Sequence, residues 1–501
     1  ALIANGQFAD AEIVLRMLKE EEYFGFVRRD GDETQALAQR ASLTEREKTL
    51  LERYSKLAGQ VSKIGERFQK LDDKKRRLSA QSAELSAEEE KEYLRLSIEL
   101  TEASAAFKVF VEKELINEIG RQNVARIQAD RNLQFKLRKF GNGTVALSTI
   151  VTDDRYRVVV TTPTVQVAGK TEIKAADLNK KIFEFRAALR DPKSNPLPLA
   201  KELYDVLIKP IENVLRDSNA QTLVWSLDGT LRYIPFAALS PDGKTYLVEK
   251  YQNVIVTPQT RDDVGDSNAT WRALGMGVST EQSVFYPDYP DEPIKLESLP
   301  AVEDELKSLI REPGAPSERG ILAGRRFLND DFTLKNLTDS LAKQSADGKK
   351  QFTVVHFASH FRLGDNWSTS FLLMGKGRIL TLEEFGNSPL LDFSNVELIT
   401  LSACNTASED DSNGAEVESF ASLIQMRNGK SVLATLWEVE DKSTAKLMSS
   451  FYSFLNKNPK ATKAESMQRA QKLLLSDPAA RVSRYSHPAY WSPFVLIGNW
   501  R

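Results

Sequence analysis

The chain has 501 residues, enough for several domains, and its 41% hydrophobic and 28% charged content is that of an ordinary soluble protein. A net charge of -2 excludes the electrostatic footprint of a direct nucleic-acid binder and a general attraction to anionic membranes. No apolar run is long enough to span a bilayer or to form a signal-peptide core, and one cysteine makes no intrachain disulfide, which fits a cytoplasmic, reducing compartment.

The first residue is Ala1 rather than methionine, which suggests a piece of a longer protein. In residues 1–39, Leu2, Gly6, Phe8, Ala11 and Leu15 have the spacing of a tetratricopeptide-repeat helix, and a stray amphipathic helix is the plainer alternative. Residues 40–130 form the next unit. Tyr54, Leu57, Val61, Ile64, Phe68 and Leu71 alternate steps of three and four, a heptad seam. Ser86 and Glu89 make a capping box for a second helix, whose seam runs Tyr93, Leu96, Leu100, Ala103, Phe107, Phe110. Matching seams across a short break predict an antiparallel helical hairpin, with a dimerising coiled coil as the competing arrangement.

From residue 131 to 270 the period changes. Val145 to Val151, Tyr156 to Thr161, Leu223 to Leu227 and Asn253 to Val256 read as strands, and Ala175 to Leu189 and Leu199 to Leu215 as helices. Residues 271–501 alternate more regularly. Strands are expected at Ala273 to Val278, Thr353 to Phe357, Phe371 to Met374, Val396 to Leu401, Ser431 to Leu436 and Phe494 to Ile497. Helices between them are expected at Ala301 to Ile310, Glu416 to Met426, Thr444 to Leu455 and Ala464 to Leu475. This is an α/β fold with a mostly parallel sheet and flanking helices, in which active sites lie beyond the carboxyl ends of strands. His360 and Cys404 each follow an expected strand. A cysteine beside a histidine is the pattern of a cysteine peptidase. The plain alternatives are a small buried cysteine and a hydrogen-bonded structural histidine. His356 and His487 read as structural.

The strings HFASHF, LSACNT, SVLATLWEVEDKST and HPAYWSPFVLIG, in that order, resemble the CHAT peptidases, and LRYIPFAAL and YLVEKYQNVIVTP resemble the upstream half of that family. The resemblance implies a caspase-like fold of two halves, the first inactive, often joined to tetratricopeptide repeats. It makes His360 and Cys404 the catalytic dyad. Many relatives carry glycine directly after the histidine, where this chain has Phe361. The backbone N–H groups of Phe361 and Cys404 are the candidates for an oxyanion hole. In separase-like relatives an acidic residue in the loop after the next strand receives a basic substrate side chain. Here that loop is Trp437 to Asp441, with Asp441 the candidate and a simple N-cap its alternative role. Asp410 and Asp411, with Glu409, add negative charge just past Cys404.

Three histidines and one cysteine leave little for a transition metal, and no metal or cofactor is expected. His356 and His360 have the i, i+4 spacing of a helical zinc pair but belong in or beside a strand, where they are far apart. Gly429-Lys430-Ser431 resembles the end of a phosphate-binding loop, but Ile424 stands where its first glycine belongs. Glu409 to Phe420 fails as a calcium loop for want of a twelfth-position glutamate, leaving at most a loose calcium-binding loop. The sequence thus favours a regulated cysteine endopeptidase that cuts a protein partner and is controlled by a protein bound to its N-terminal helical region. A caspase-like scaffold or sensor subunit, catalytically inert or latent, is the alternative.

Overall fold

A computed structural model of the chain describes residues 53, 57, 64, 67, 68, 71, 74, 75, 78, 85–110, 133–140, 143–257, 260, 264–267, 270–286, 289–316, 319–343, 351–362, 367–402, 414–476 and 485–501. The repeat-like helix expected in residues 1–39 lies outside them. The chain divides into two compact units, with residues 31–133 in the first and 134–501 in the second.

In the first unit, α1 (Ala87–Phe110) begins at the expected capping box. The Ser86 hydroxyl accepts from the Glu89 amide, and the Glu89 carboxylate accepts from the Ser86 amide, both at 3.2 Å. Phe68 stacks on Tyr93 with ring centroids 4.9 Å apart, Arg67 pairs with Glu92 at 2.6 Å, Lys75 with Glu90 at 2.6 Å, and Lys74 with Glu89. Arg53 lies over the Phe110 ring. Partners that descend along α1 as the first stretch ascends make this an antiparallel arrangement within one chain. Tyr54 and Val61 of the seam lie outside the described residues.

Among the described residues, the second unit is built on a sheet of twelve strands. Its strands are β1 (Thr144–Thr152), β2 (Arg155–Thr161), β3 (Gln166–Glu172), β4 (Thr222–Ser226), β5 (Gln252–Ile255), β6 (Arg272–Gly277), β9 (Ile310–Arg311), β10 (Leu322–Leu328), β11 (Val354–Ala358), β15 (Leu398–Ser402), β16 (Ser431–Thr435) and β17 (Phe494–Gly498). A hairpin, β7 (Gln282–Tyr286) and β8 (Tyr289–Leu296), stands apart, as does a small sheet of β12 (Phe361–Arg362), β13 (Phe371–Leu373) and β14 (Ile379–Thr381). The large sheet has the order β3-β2-β1-β4-β5-β17-β16-β15-β11-β6-β10-β9. All its neighbours are parallel except β1–β2, β2–β3 and β16–β17. The antiparallel step at β17 reverses the strand direction, and β5, β4 and β1 run with β17. The carboxyl ends of β6, β11, β15 and β16 therefore share one edge, opposite to the edge formed by the carboxyl ends of β1, β4 and β5.

β11, β15 and β16 are buried along their whole length, as continuous apolar runs in a parallel sheet should be. Alternate residues serve two cores. Val354, Ala358 and Leu398 face the core that also holds α2 (Ala175–Arg190), α3 (Leu197–Leu207), α4 (Ala301–Leu309), α7 (Asp441–Lys457) and α8 (Lys463–Ser476). Val355, Phe357, Ile399 and Leu401 face the core of α5 (Leu334–Ala342) and α6 (Gly414–Met426). The single helix expected from Leu199 to Leu215 is interrupted by a short 3-10 turn at Lys209–Ile211. Pro210 has no N–H to give the helix, and the chain resumes helix only at Glu212. Gly429-Lys430 is the turn between α6 and β16, and the Ser431 hydroxyl is bound to the Glu397 carbonyl at 2.6 Å, so no phosphate loop forms there.

Candidate active site

The β11–β15 register pairs Val354 with Leu398 and ends by pairing Ala358 with Ser402. His360 lies two residues beyond the first strand and Cys404 two residues beyond the second. Cys404, Asp410 and Asp411 fall outside the described residues.

His360 is 3% exposed. Its Nε2 donates to the backbone carbonyl of Glu297 at 2.8 Å, and Glu297 directly follows β8. That bond fixes the tautomer with the proton on Nε2 and makes Nδ1 the acceptor. Nδ1 is buried and has no hydrogen-bond partner among the described residues. The turn after β11 is pinned to β13: the Leu373 amide donates to the His360 carbonyl at 2.9 Å, and the Ser359 hydroxyl donates to the Leu373 carbonyl at 2.8 Å.

The other two histidines are saturated. His487 Nε2 donates to the Ser194 carbonyl at 3.1 Å while its Nδ1 accepts from the Ala489 amide, and burial lowers its pKa. His356 Nε2 is 3.1 Å from Glu305 Oε1 and its Nδ1 is 3.2 Å from the Tyr452 hydroxyl, which is 2.7 Å from Thr400 Oγ1. The Ser402 hydroxyl donates to the same Glu305 oxygen at 2.6 Å. Of three histidines, only His360 has a ring nitrogen without a partner among the described residues.

Phe361 opens β12 and is buried, with its ring edge-on to Phe420 at 5.0 Å. It is not among the residues with positive φ, so the backbone here does not require the glycine common in relatives.

Beyond the ends of β15 and β16 opens a cleft lined by Leu299, Glu305, Ser402, Thr435, Glu438 and Asp441, among others. None of the described residues lining it is a lysine or arginine. Asp441 is the first residue of α7, and the N-cap position belongs to Glu440, which makes no side-chain cap hydrogen bond. The N-cap reading of Asp441 is therefore incorrect. Desolvation raises the Asp441 pKa, and the nearby Glu305 and Glu440 carboxylates add to the rise. Trp437, expected on the substrate side, is 3% exposed and donates from Nε1 to the Ala489 carbonyl at 3.2 Å. It is not among the described residues that line the cleft. Among the described residues, no group of three His, Cys, Asp or Glu side chains is arranged to hold a metal ion.

Sequence reasoning missed Glu305. Its signal was there: Val302, Glu305, Leu306 and Leu309 form the buried stripe of α4, so a carboxylate stands on an apolar face. Glu438 and the Glu297 carbonyl had no such signal.

No curated protein matches this chain. Solved structures that resemble it include two of the Saccharomyces cerevisiae separase–securin complex, at 3.0 and 2.6 Å resolution. Their TM-scores are 0.44 and 0.39, each at 9% identity and over 83% of this chain. The alignment spans only 34% of those separase chains. A family model does match most of the sequence, over residues 197–499, and by it the chain belongs to the CHAT domain family.

Proposed function

We propose that the chain is a cysteine endopeptidase in which Cys404 is the nucleophile and His360 the general acid and base. The observation that carries this reading is the state of the His360 ring, with one nitrogen tied to a backbone carbonyl and the other without a partner among the described residues, beside the carboxyl end of β11. The strand register supports it. Ala358 and Ser402 are paired neighbours, parallel strands lie about 4.8 Å apart, and two residues reach at most about 7 Å. Both side chains are thus tethered to one short stretch of sheet edge.

In this mechanism Nδ1 of His360 takes the thiol proton and the thiolate attacks the scissile carbonyl carbon. The backbone N–H groups of Phe361 and Cys404 receive the oxyanion, and one such donor is worth about 3 kcal/mol of barrier. The imidazolium returns its proton to the leaving amine as the C–N bond breaks. Water, deprotonated by the same ring, then hydrolyses the thioester. The acidic, lysine-free cleft supports cleavage after Lys or Arg, with Asp441 receiving the basic side chain and Glu438, Asp410 and Asp411 adding to the field. Trp437 serves by holding the loop. The hairpin of the first unit is the docking element for a protein activator.

The test is a peptide library offered to the full chain, with and without candidate protein partners. Cuts after basic residues are expected, Cys404→Ala and His360→Gln each lowering kcat/KM by about a hundredfold or more. Asp441→Asn is expected to raise KM for basic substrates and leave kcat less affected. Cleavage that survives Cys404→Ala sinks the reading. A chain that fails to react with a thiol-directed substrate analogue under every condition would leave the inert scaffold in its place.

A further inference from the structure

Glu305 stands between the two strands that lead to the dyad. Resting on the reading above, we infer that this one buried carboxylate is a positioning residue for both arms of the site and also charges the floor of the cleft. It is 8% exposed. Through Ser402 it is tied to the end of β15, two residues before Cys404, and through His356 to β11, four residues before His360. His356 continues to Tyr452 and Thr400, so the hydrogen bonds, with the β15 backbone between Thr400 and Ser402, form a closed circuit across β11, β15, α4 and α7. α4 itself follows the segment whose Glu297 carbonyl holds His360. A single helix thereby braces the β15 strand through Ser402 and the β11 strand through His356, just after the carbonyl that holds the base.

The same side chain lines the cleft with Glu438 and Asp441. Its charge is already felt there, as one of the causes that raise the Asp441 pKa. No described residue hydrogen-bonds its second oxygen. Both of the bonds from Ser402 and His356 end on Oε1. The two roles are therefore separable by substitution. The carbonyl oxygen of a glutamine can accept both bonds while the charge is lost. Ser402→Ala removes the tie to β15 and leaves the charge.

Cys404 is the only cysteine, so its modification can be followed on the whole folded chain. The rates to measure are those with neutral methyl methanethiosulfonate and with its cationic trimethylammonioethyl analogue. Glu305→Gln is expected to keep the neutral rate within about twofold and to lower the cationic-to-neutral ratio about three- to fivefold, the size that loss of about 1 kcal/mol of charge attraction in partly solvated surroundings gives. Ser402→Ala is expected to do the reverse, changing the neutral rate by about fivefold or more with the ratio intact, because placement of the thiol rather than the field is altered. A Glu305→Gln chain with an unchanged ratio overturns the inference. So does a Ser402→Ala chain with an unchanged neutral rate, and so does a native thiol that neither reagent modifies. His360→Ala separates this result from the peptidase reading: if it leaves the neutral rate unaltered, the dyad is lost, while the Glu305 pattern still stands on its own.

Discussion

A buried ionisable side chain declares its role by what its polar atoms touch. His356 and His487 have both nitrogens occupied by described residues, and His360 has one. Sequence position alone could single out His360 but could not tell which nitrogen is held, because the Glu297 carbonyl is supplied 63 residues away by the segment after a hairpin. Lys463 is the residue-scale contrast. It is fully buried, donates to the Arg501 carbonyl and lies 3.9 Å from Glu397. Burial lowers its pKa to about 8, although Glu397 pulls the other way. An unfolded lysine titrates near 10.4. Between these values the unfolded chain binds the extra proton, so the contribution of this group to stability grows as pH rises through about 8 toward 10.4. Integrated, that gain is about 3 kcal/mol at most. Urea unfolding of the native chain and of Lys463→Met from pH 7 to 10 is expected to show the upward slope in the first and not in the second. Equal slopes would mean that the ammonium is better solvated than its burial implies.

Among the elements, the central strands were the most legible. VVHFA, LITLS and SVLAT are buried on both faces and therefore write their apolar runs plainly into the sequence. The elements that escaped notice lie at the sheet edges or next to them. β3 is largely half-exposed and carries Gly169 and Lys170, and β10 carries Arg325 and Arg326 between its apolar residues. Neither shows a clean alternation, because half the pressure for it is missing where a strand meets solvent. The β7–β8 hairpin, with Pro290 and Pro293, was equally hidden. Contacts between distant elements were not legible at all. α6 follows the segment that carries Cys404, and the earlier part of the unit holds it at two points. Arg232 pairs with Glu418 at 2.9 Å, both side chains 12% exposed, and Thr257 and Thr260 bond the Gln425 amide. Removing one partner of a mostly buried pair strands the other charge, at a cost of about 3 kcal/mol, whereas removing both is far milder. Arg232→Met should therefore destabilise the chain by about that amount, and Arg232→Met with Glu418→Leu should recover most of it. A double-mutant cycle by urea unfolding measures this directly. Strictly additive effects would reduce the pair to a surface contact.

At the scale of the molecule, the antiparallel step from β16 to β17 decides where chemistry can occur. Parallel strands gather their ends, and with them their loops and helix N-termini, at one edge. The reversal sends the ends of β1, β4 and β5 to the other edge, so only the strands of residues 271–501 contribute to the candidate site. The earlier strands still belong to the same sheet, and one core runs from Val145 through Trp225 and Leu306 to Trp500 without a break. A boundary near residue 270 is thus a change of direction rather than an edge of packing. The consequence can be measured. Residues 271–501 produced alone would leave β17 as an open apolar edge and uncover Phe494, Leu496 and the α8 side chains that the earlier strands bury. An exposed edge of that kind pairs with its own copies. The expected result is a chain that binds hydrophobic dyes, aggregates and lacks a cooperative melt, while the full chain melts cooperatively. A cooperatively melting 271–501 fragment whose Cys404 reacts as fast as in the full chain would instead make the first half a dispensable attachment.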